Sequence, residues 1–143
     1  MAHNISQRLL KIVNALPLKN EIRVLEIGCG TGVAARDIAN RIENCYILAI
    51  DRSAKAIKKA ETSSEEEIKA GKIKFLQSKI EKLELPKTEN HFDIAFAIRV
   101  GALDGRHSEI ELEALKRIFK ALKKNGKLFI DGGNPLKEIN RST

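Results

Sequence analysis

The sequence predicts an α/β protein, a three-layer αβα sandwich on a mostly parallel sheet of about five strands. Three observations lead to this fold class. Short apolar, β-branched runs alternate with helical patterns along the whole chain. These runs are nearly continuous in apolar residues, as buried parallel strands are. A glycine-rich turn follows the first run, at the carboxyl end of a strand, where such sheets bind ligands.

The N-terminal half predicts helix, strand, helix and strand in turn. The segment ISQRLLKIVNAL has an apolar helical stripe that Pro17 stops. IRVLEI, bounded by glycine, is typical of a buried strand. Ala34, Ile38 and Ile42 then recur at helical spacing. CYILAI is the second predicted strand.

The remainder of the chain continues this alternation. Ser53 is placed to cap a third helix, and TSSEEEIKAGK predicts a short turn that ends at Gly71. IKFLQ and FDIAFAI are the third and fourth predicted strands. Ser108 and Glu111 form an S-x-x-E capping box before a long helix, and KLFID is the fifth strand.

A chain of 143 residues is long enough for one domain with a real core. We expect a single domain over 1–143, with an N-terminal helix in 1–19, a core in 20–132 and a tail in 133–143. Hydrophobic residues at 43% and charged residues at 31% exclude wholesale disorder. Aromatic residues at 4% argue against stacking on several bases.

The net charge of +7 is spread over most of the helices, so a nucleic-acid partner is possible but not favoured. Cys29 and Cys45 have the spacing of neither a zinc site nor a disulfide scaffold, and no metal is expected. No segment approaches the ~20 apolar residues of a membrane span. The first ten residues lack the apolar stretch of a signal peptide. A cytoplasmic protein without a membrane partner is the expectation.

The glycine turn in RVLEIGCGTG discriminates between three ligands. A phosphate-binding P-loop needs a Lys-Ser or Lys-Thr pair, and none follows. A dinucleotide site needs G-x-G-x-x-G, but the sixth position from Gly28 is Val33. Glu26 would put a carboxylate beside a pyrophosphate, whereas S-adenosyl-L-methionine carries an ammonium and a sulfonium that a carboxylate attracts. The turn therefore favours S-adenosyl-L-methionine as the cofactor.

Asp51 is the second acidic residue at a predicted strand end. Its position, 23 residues after Gly28, suits a carboxylate that takes both ribose hydroxyls of a nucleoside. NAD and S-adenosylmethionine both contain such a ribose, so Asp51 does not choose between them. The structural alternative is that Asp51 only begins the cap of the next helix.

VLEIGCGTG followed by AIDRS resembles the class I S-adenosylmethionine-dependent methyltransferases, which have a Rossmann-like fold. The resemblance continues through FDIAFAI and LKKNGKLFI and spans roughly residues 20 to 132. It implies that Glu26, Gly28 and Gly30 hold the methionine end, that Asp51 binds the ribose and that Arg52 flanks the adenine. The cofactor-binding residues so implied are Glu26, Gly28, Cys29, Gly30, Asp51, Arg52, Lys79, Ile80 and Arg99.

The chain departs from this family in two places. Lys79 stands where the family often has an Asp that contacts the adenine amino group, so Ile80 or the local backbone would have to hold the ring. After KLFID, too few residues remain for the family's usual C-terminal antiparallel hairpin. We expect another copy, the N-terminal helix or a partner to cover the edge of the fifth strand, with a homodimer as one form. The alternative is a truncated domain.

Candidate catalytic residues follow the fourth strand, in IRVGALDGRHSE. Methyl transfer mainly requires alignment of nucleophile and methyl group, so a conspicuous catalytic cluster is not needed. His107 with Asp104 could act as an acid–base pair, and Arg99 with Arg106 could hold an acidic substrate. The structural alternatives are a turn at Asp104, a helix cap next to His107 and a salt bridge from Arg99.

The predicted function is transfer of the methyl group of S-adenosylmethionine to an unidentified acceptor. The Asn-Pro-Pro-Tyr sequence typical of methylases that act on exocyclic amino groups of bases does not occur. Two alternatives stay open. The chain could be a non-catalytic module or partner subunit that binds S-adenosylmethionine or S-adenosylhomocysteine, or a basic nucleic-acid-binding protein on the same fold.

Overall fold

The structure is a computed structural model that describes residues 5–103 and 108–141. Helices and strands alternate along these ranges. The helices are α1 (Gln7–Ala15), α2 (Val33–Arg41), α3 (Ala54–Ser63), α4 (Glu65–Lys69) and α5 (Ser108–Ala121), with short 3₁₀ helices at Ile80–Lys82 and Gly101–Leu103. The strands are β1 (Ile22–Ile27), β2 (Cys45–Asp51), β3 (Ile73–Gln77), β4 (Phe92–Ala97), β5 (Leu122–Asp131) and β6 (Leu136–Ile139).

The sheet has the strand order β3-β2-β1-β4-β5-β6. Every neighbouring pair from β3 to β5 is parallel, and β6 alone among the described strands runs antiparallel. After β3 the chain crosses to the far side of β1, so strand order reverses between β1 and β4, the place where open α/β sheets bind ligands. The predicted class, a Rossmann-like sandwich on a mostly parallel sheet, is confirmed, with six strands rather than about five.

Two apolar clusters lie on opposite faces of the sheet. Val24 of β1 and Ile38 of α2 belong to the cluster under α1, α2 and α3. Leu25 of β1 and Ile118 of α5 belong to the cluster on the other face. Since successive side chains of a strand point to opposite faces, β1 contributes to both clusters, which explains its nearly continuous apolar sequence.

Side-chain caps begin α1 and α3, and the cap at Ser53 is the one that the sequence predicts. The Ser53 hydroxyl accepts a hydrogen bond from the Ala56 amide at 3.1 Å at the start of α3. The Ser6 hydroxyl likewise accepts one from the Leu9 amide at 3.1 Å at the start of α1. These caps satisfy amides that the first turn of a helix leaves without partners.

The edge of β5 is covered by the same chain. β6 pairs with β5 in antiparallel register, with Leu128 opposite Ile139 and Asp131 opposite Leu136. The expectation that another copy, the N-terminal helix or a partner covers this edge is therefore wrong. A short reversal after Asp131 and a single four-residue strand are enough to pair with β5.

No helix in the described part of the chain is long and apolar enough to cross a membrane.

Candidate cofactor site

The glycine turn after β1 is held tightly against its neighbours. The amides of Gly28 and Cys29 both donate to the Ile50 carbonyl of β2, at 2.9 Å each. Gly28 has a φ of +76°, and a Cβ at this position would lie 2.8 Å from Cγ2 of Val100. Glycine is thus required here because it lets the turn contact the segment that follows β4.

Asp51 connects this turn to the start of α3. Its Oδ2 accepts from the Gly30 amide at 2.9 Å, and its Oδ1 accepts from the Ser53 amide at 2.9 Å. The structural alternative, a role for Asp51 at the start of α3, accounts for the bond from Ser53 but not for the bond from Gly30. Each carboxylate oxygen can accept a further hydrogen bond, so a ligand hydroxyl can still bind here.

Glu26 is a buried carboxyl with an unsatisfied oxygen. Its exposed fraction is 5%, and Oε1 has no hydrogen-bond partner. Burial, followed by the nearby Asp51 charge, raises the pKa of Glu26 from 4.5 to about 8, although the Arg36 charge opposes this. Buried polar atoms in folded proteins nearly always have a partner. The orphaned oxygen is therefore suited to a cationic group brought by a ligand.

A pocket of about 660 Å³ lies over the carboxyl ends of β1, β2 and β4. Its lining combines apolar side chains, among them Ile50 and Ile80, with the Asp51 carboxylate. This combination suits a ligand with a flat apolar ring and a hydroxylated sugar. Six of the predicted cofactor residues line it: Gly28, Asp51, Arg52, Lys79, Ile80 and Arg99.

Glu26, Cys29 and Gly30 do not line this pocket. Glu26 lies two residues after Val24 in β1 and therefore on the same face, the one that α2 covers. Cys29 is buried in the same cluster, and burial raises the pKa of its thiol well above the usual range. Glu26 and Cys29 therefore lie beneath the glycine turn, outside the pocket lining.

A second pocket of about 610 Å³ adjoins the first and shares Arg99 and Val100 with it. It lies beside the carboxyl ends of β4 and β5 and reaches β6. Apolar side chains such as Ile130 and Ile139 line it, together with four charged ones: Arg99, Glu111, Asp131 and Lys137. Arg99, the candidate next to the expected methyl group, is thus common to both pockets.

The other catalytic candidates cannot be placed in the same way. Asp104, Arg106 and His107 lie outside the described residues. Within the described ranges, no group of three or more His, Cys, Asp or Glu side chains is arranged to hold a metal ion. Arg99 is therefore the predicted catalytic candidate that the structure places at the site.

Sequence reasoning missed Asp131. Its Oδ1 accepts from the Arg99 amide at 3.2 Å, and its Oδ2 pairs with the Arg8 guanidinium at 3.0 Å. A signal for it was available, because Asp131 ends β5 in the same way that Asp51 ends β2. A carboxylate at the carboxyl end of a parallel strand is a general reason to expect a place at the ligand edge.

The fold defines an α/β protein with a pocket at the topological switch point of its sheet. A family profile described as "Methyltransferase domain" matches residues 18–142. The chain therefore belongs to the methyltransferase-domain family, and the resemblance to class I S-adenosylmethionine-dependent methyltransferases is confirmed. S-adenosyl-L-methionine, the predicted cofactor, is likewise supported by this membership.

Two proteins with similar sequences have names that agree with this family assignment. The chain is 32% identical over 122 residues to the O-methyltransferase rstn1 of Aspergillus nomiae, covering 82% of this chain and 51% of that protein. It is 29% identical over 114 residues to the sterol 24-C-methyltransferase ERG6B of Gibberella zeae, covering 77% of this chain and 26% of that protein. The chain thus spans about half or less of the length of these relatives.

Solved structures share the fold. The [4+2]-cyclase SpnF superposes with a TM-score of 0.71 at 28% identity, over 86% of this chain and 43% of that one. An S-adenosylmethionine-dependent methyltransferase from Thiobacillus denitrificans, in complex with S-adenosyl-L-homocysteine, superposes with a TM-score of 0.69 at 21% identity, over 90% of this chain and 50% of that one. At 21% identity, the similarity to the Thiobacillus denitrificans enzyme supports a shared fold alone.

Proposed function

We propose that the protein transfers the methyl group of S-adenosylmethionine to a small-molecule acceptor that occupies the second pocket. The observation that carries this proposal is the pair of adjoining pockets with Arg99 and Val100 between them. One pocket has the lining expected for the cofactor, and the other opens beside it. Such an arrangement brings two molecules together at one shared boundary.

Residues of the first pocket fit the cofactor part by part. The Asp51 oxygens would accept from the ribose hydroxyls, and the buried Ile80 side chain would pack against the adenine. The Lys79 side chain cannot accept a hydrogen bond, so the Lys79 backbone would form the hydrogen bond with the edge of the adenine ring. Glu26, beneath the glycine turn and outside the pocket lining, would supply a negative charge for the ammonium of the methionine end.

When bound, the cofactor supplies a methyl group on a sulfonium, which is already activated for in-line displacement. The chain's own contribution is then alignment, because correct orientation alone is worth several kcal/mol of the barrier. Val100 and Arg99 separate the two ligands and would set their approach. A general base is needed only for an acceptor that holds its proton tightly.

The size and lining of the second pocket support a small acceptor. A volume of about 610 Å³ lies in the range typical of small-molecule sites. Apolar walls with a few charged groups suit a largely apolar molecule that carries a polar group, more than they suit a nucleic acid. The names of the relatives, an O-methyltransferase and a sterol methyltransferase, are in line with this class.

Calorimetry with S-adenosylmethionine, S-adenosylhomocysteine and NAD tests the cofactor. Binding of the first two and not of NAD is expected, and binding of NAD alone would contradict the proposal. Release of S-adenosylhomocysteine is then followed with small hydroxylated and amine acceptors, with RNA as a comparison. Turnover with RNA alone would refute the small-molecule acceptor, and cofactor binding without turnover would favour a non-catalytic module.

A further inference from the structure

We propose that Asp131 is a positioning residue that holds the Arg99 backbone at the boundary between the two pockets. The proposal rests on the proposed function, because it takes these pockets as the sites of cofactor and acceptor. It concerns a residue that the chemistry of methyl transfer does not require. Asp131 would act through Arg99 rather than on the reacting atoms.

The backbone of Arg99 adopts a conformation that needs support. Its φ is +56°, in the left-handed region that residues with a Cβ rarely adopt. Such conformations persist where surrounding contacts hold them, and they cluster at ligand sites. The Arg99 amide donates to Oδ1 of Asp131 at 3.2 Å, which is a contact of this kind.

Asp131 is itself fixed from two directions. As the last residue of β5 it lies opposite Leu136 of β6, so its backbone belongs to the sheet. Its second oxygen pairs with Arg8 of α1 at 3.0 Å, and its side chain is 23% exposed. One carboxylate therefore links α1, the end of β5 and the turn after β4, which are distant in the sequence.

The rival explanation is an ordinary ion pair that fastens α1 to the sheet. The two bonds of Asp131 can be separated, because each oxygen serves one partner. Asp131→Asn keeps an oxygen that can accept from the Arg99 amide but removes the charge opposite Arg8. Asp131→Ala removes both interactions, and Arg8→Ala removes only the ion pair. Exposed ion pairs contribute little to stability, so Arg8→Ala is a mild control.

The dissociation constant of S-adenosylhomocysteine, measured by calorimetry, is the first readout. Asp131→Ala should raise it about fivefold, the effect of one ordinary hydrogen bond. Asp131→Asn and Arg8→Ala should each stay within about twofold of the wild type, because both keep that hydrogen bond.

Hydrogen exchange of the Arg99 amide is the second readout and needs no ligand. Exchange should be slow in the wild type, in Asp131→Asn and in Arg8→Ala, and at least about tenfold faster in Asp131→Ala. Thermal unfolding of each variant separates this local effect from a loss of the fold. Equal exchange in Asp131→Ala and wild type would overturn the positioning role, as would equal losses of affinity in Asp131→Asn and Asp131→Ala.

The two proposals fail in different ways. If the wild type does not bind S-adenosylhomocysteine, the proposed function is wrong, and exchange at the Arg99 amide still decides whether Asp131 holds this turn. If the wild type binds and Asp131→Ala binds equally well, only the positioning role is lost.

Discussion

Replacing Glu26 with glutamine should stabilise the free protein and weaken its binding of the cofactor. Glu26 is buried, and one of its oxygens has no partner. Burial, with the Asp51 charge as a second cause, raises its pKa from 4.5 to about 8. Between these two pH values the unfolded chain has lost a proton that the folded chain still holds. The free energy of unfolding must therefore fall as pH rises through this window.

The size of the effect follows from the same pKa difference. Each unit corresponds to about 1.4 kcal/mol, so the full difference is on the order of 5 kcal/mol. Glutamine has nearly the same shape and no charge. We therefore expect Glu26→Gln to raise the free energy of unfolding by about 3–5 kcal/mol at pH 8.5 and by less than about 1 kcal/mol near pH 5.

Urea unfolding at pH 5, 7 and 8.5 measures this dependence. Glu43→Gln is the matched control, because Glu43 is exposed in the bend between α2 and β2, where the same change of residue type lies outside the core. Calorimetry completes the test: a cationic ligand group should restore the Glu26 charge, so binding of S-adenosylhomocysteine near pH 7 releases a proton. Glu26→Gln should bind at least tenfold more weakly and release none. A stability curve with the pH dependence of the wild type would refute the reasoning.

Three further changes probe the turn, the sugar contact and the sheet edge. Gly28→Ala places a Cβ 2.8 Å from Cγ2 of Val100 at a φ of +76°. This variant should lose about 1–3 kcal/mol of unfolding free energy and show no measurable cofactor binding by calorimetry. An unchanged stability and affinity would contradict the close contact. Asp51→Ala should weaken S-adenosylhomocysteine about tenfold or more, whereas equal affinity would exclude Asp51 from the ribose contact. Ile139→Asp should loosen β6 and expose the edge of β5, so that copies of the variant associate with one another, which sedimentation detects. A variant that stays monomeric would show that β6 does not protect this edge.

Local sequence patterns were sufficient to predict most of the fold. β1 and β4 are buried on both faces, and this is why IRVLEI and FDIAFAI have nearly continuous apolar sequences. The cap at Ser53 forms as expected, because it depends only on residues within one turn. Such features need no knowledge of distant segments.

Contacts between distant segments could not be predicted in the same way. β6 forms because the chain reverses and pairs with β5, and its four residues have no distinctive period. Glu26 lies outside the pocket lining because α2 covers the face of β1 that carries it, and the packing of α2 could not be inferred from the spacing to Gly28. The link from Arg8 through Asp131 to Arg99 joins three elements far apart in sequence.

The sequence by itself determined the fold class, the strand-end positions of Glu26 and Asp51 and the kind of cofactor that the glycine turn favours. These follow from periodicity, spacing and charge over short stretches. Only the tertiary structure decided that two pockets meet at Arg99, and that Asp131 contacts it. The carboxyl ends of parallel strands meet at one edge whatever their distance along the chain, but which side chains touch there is set by packing.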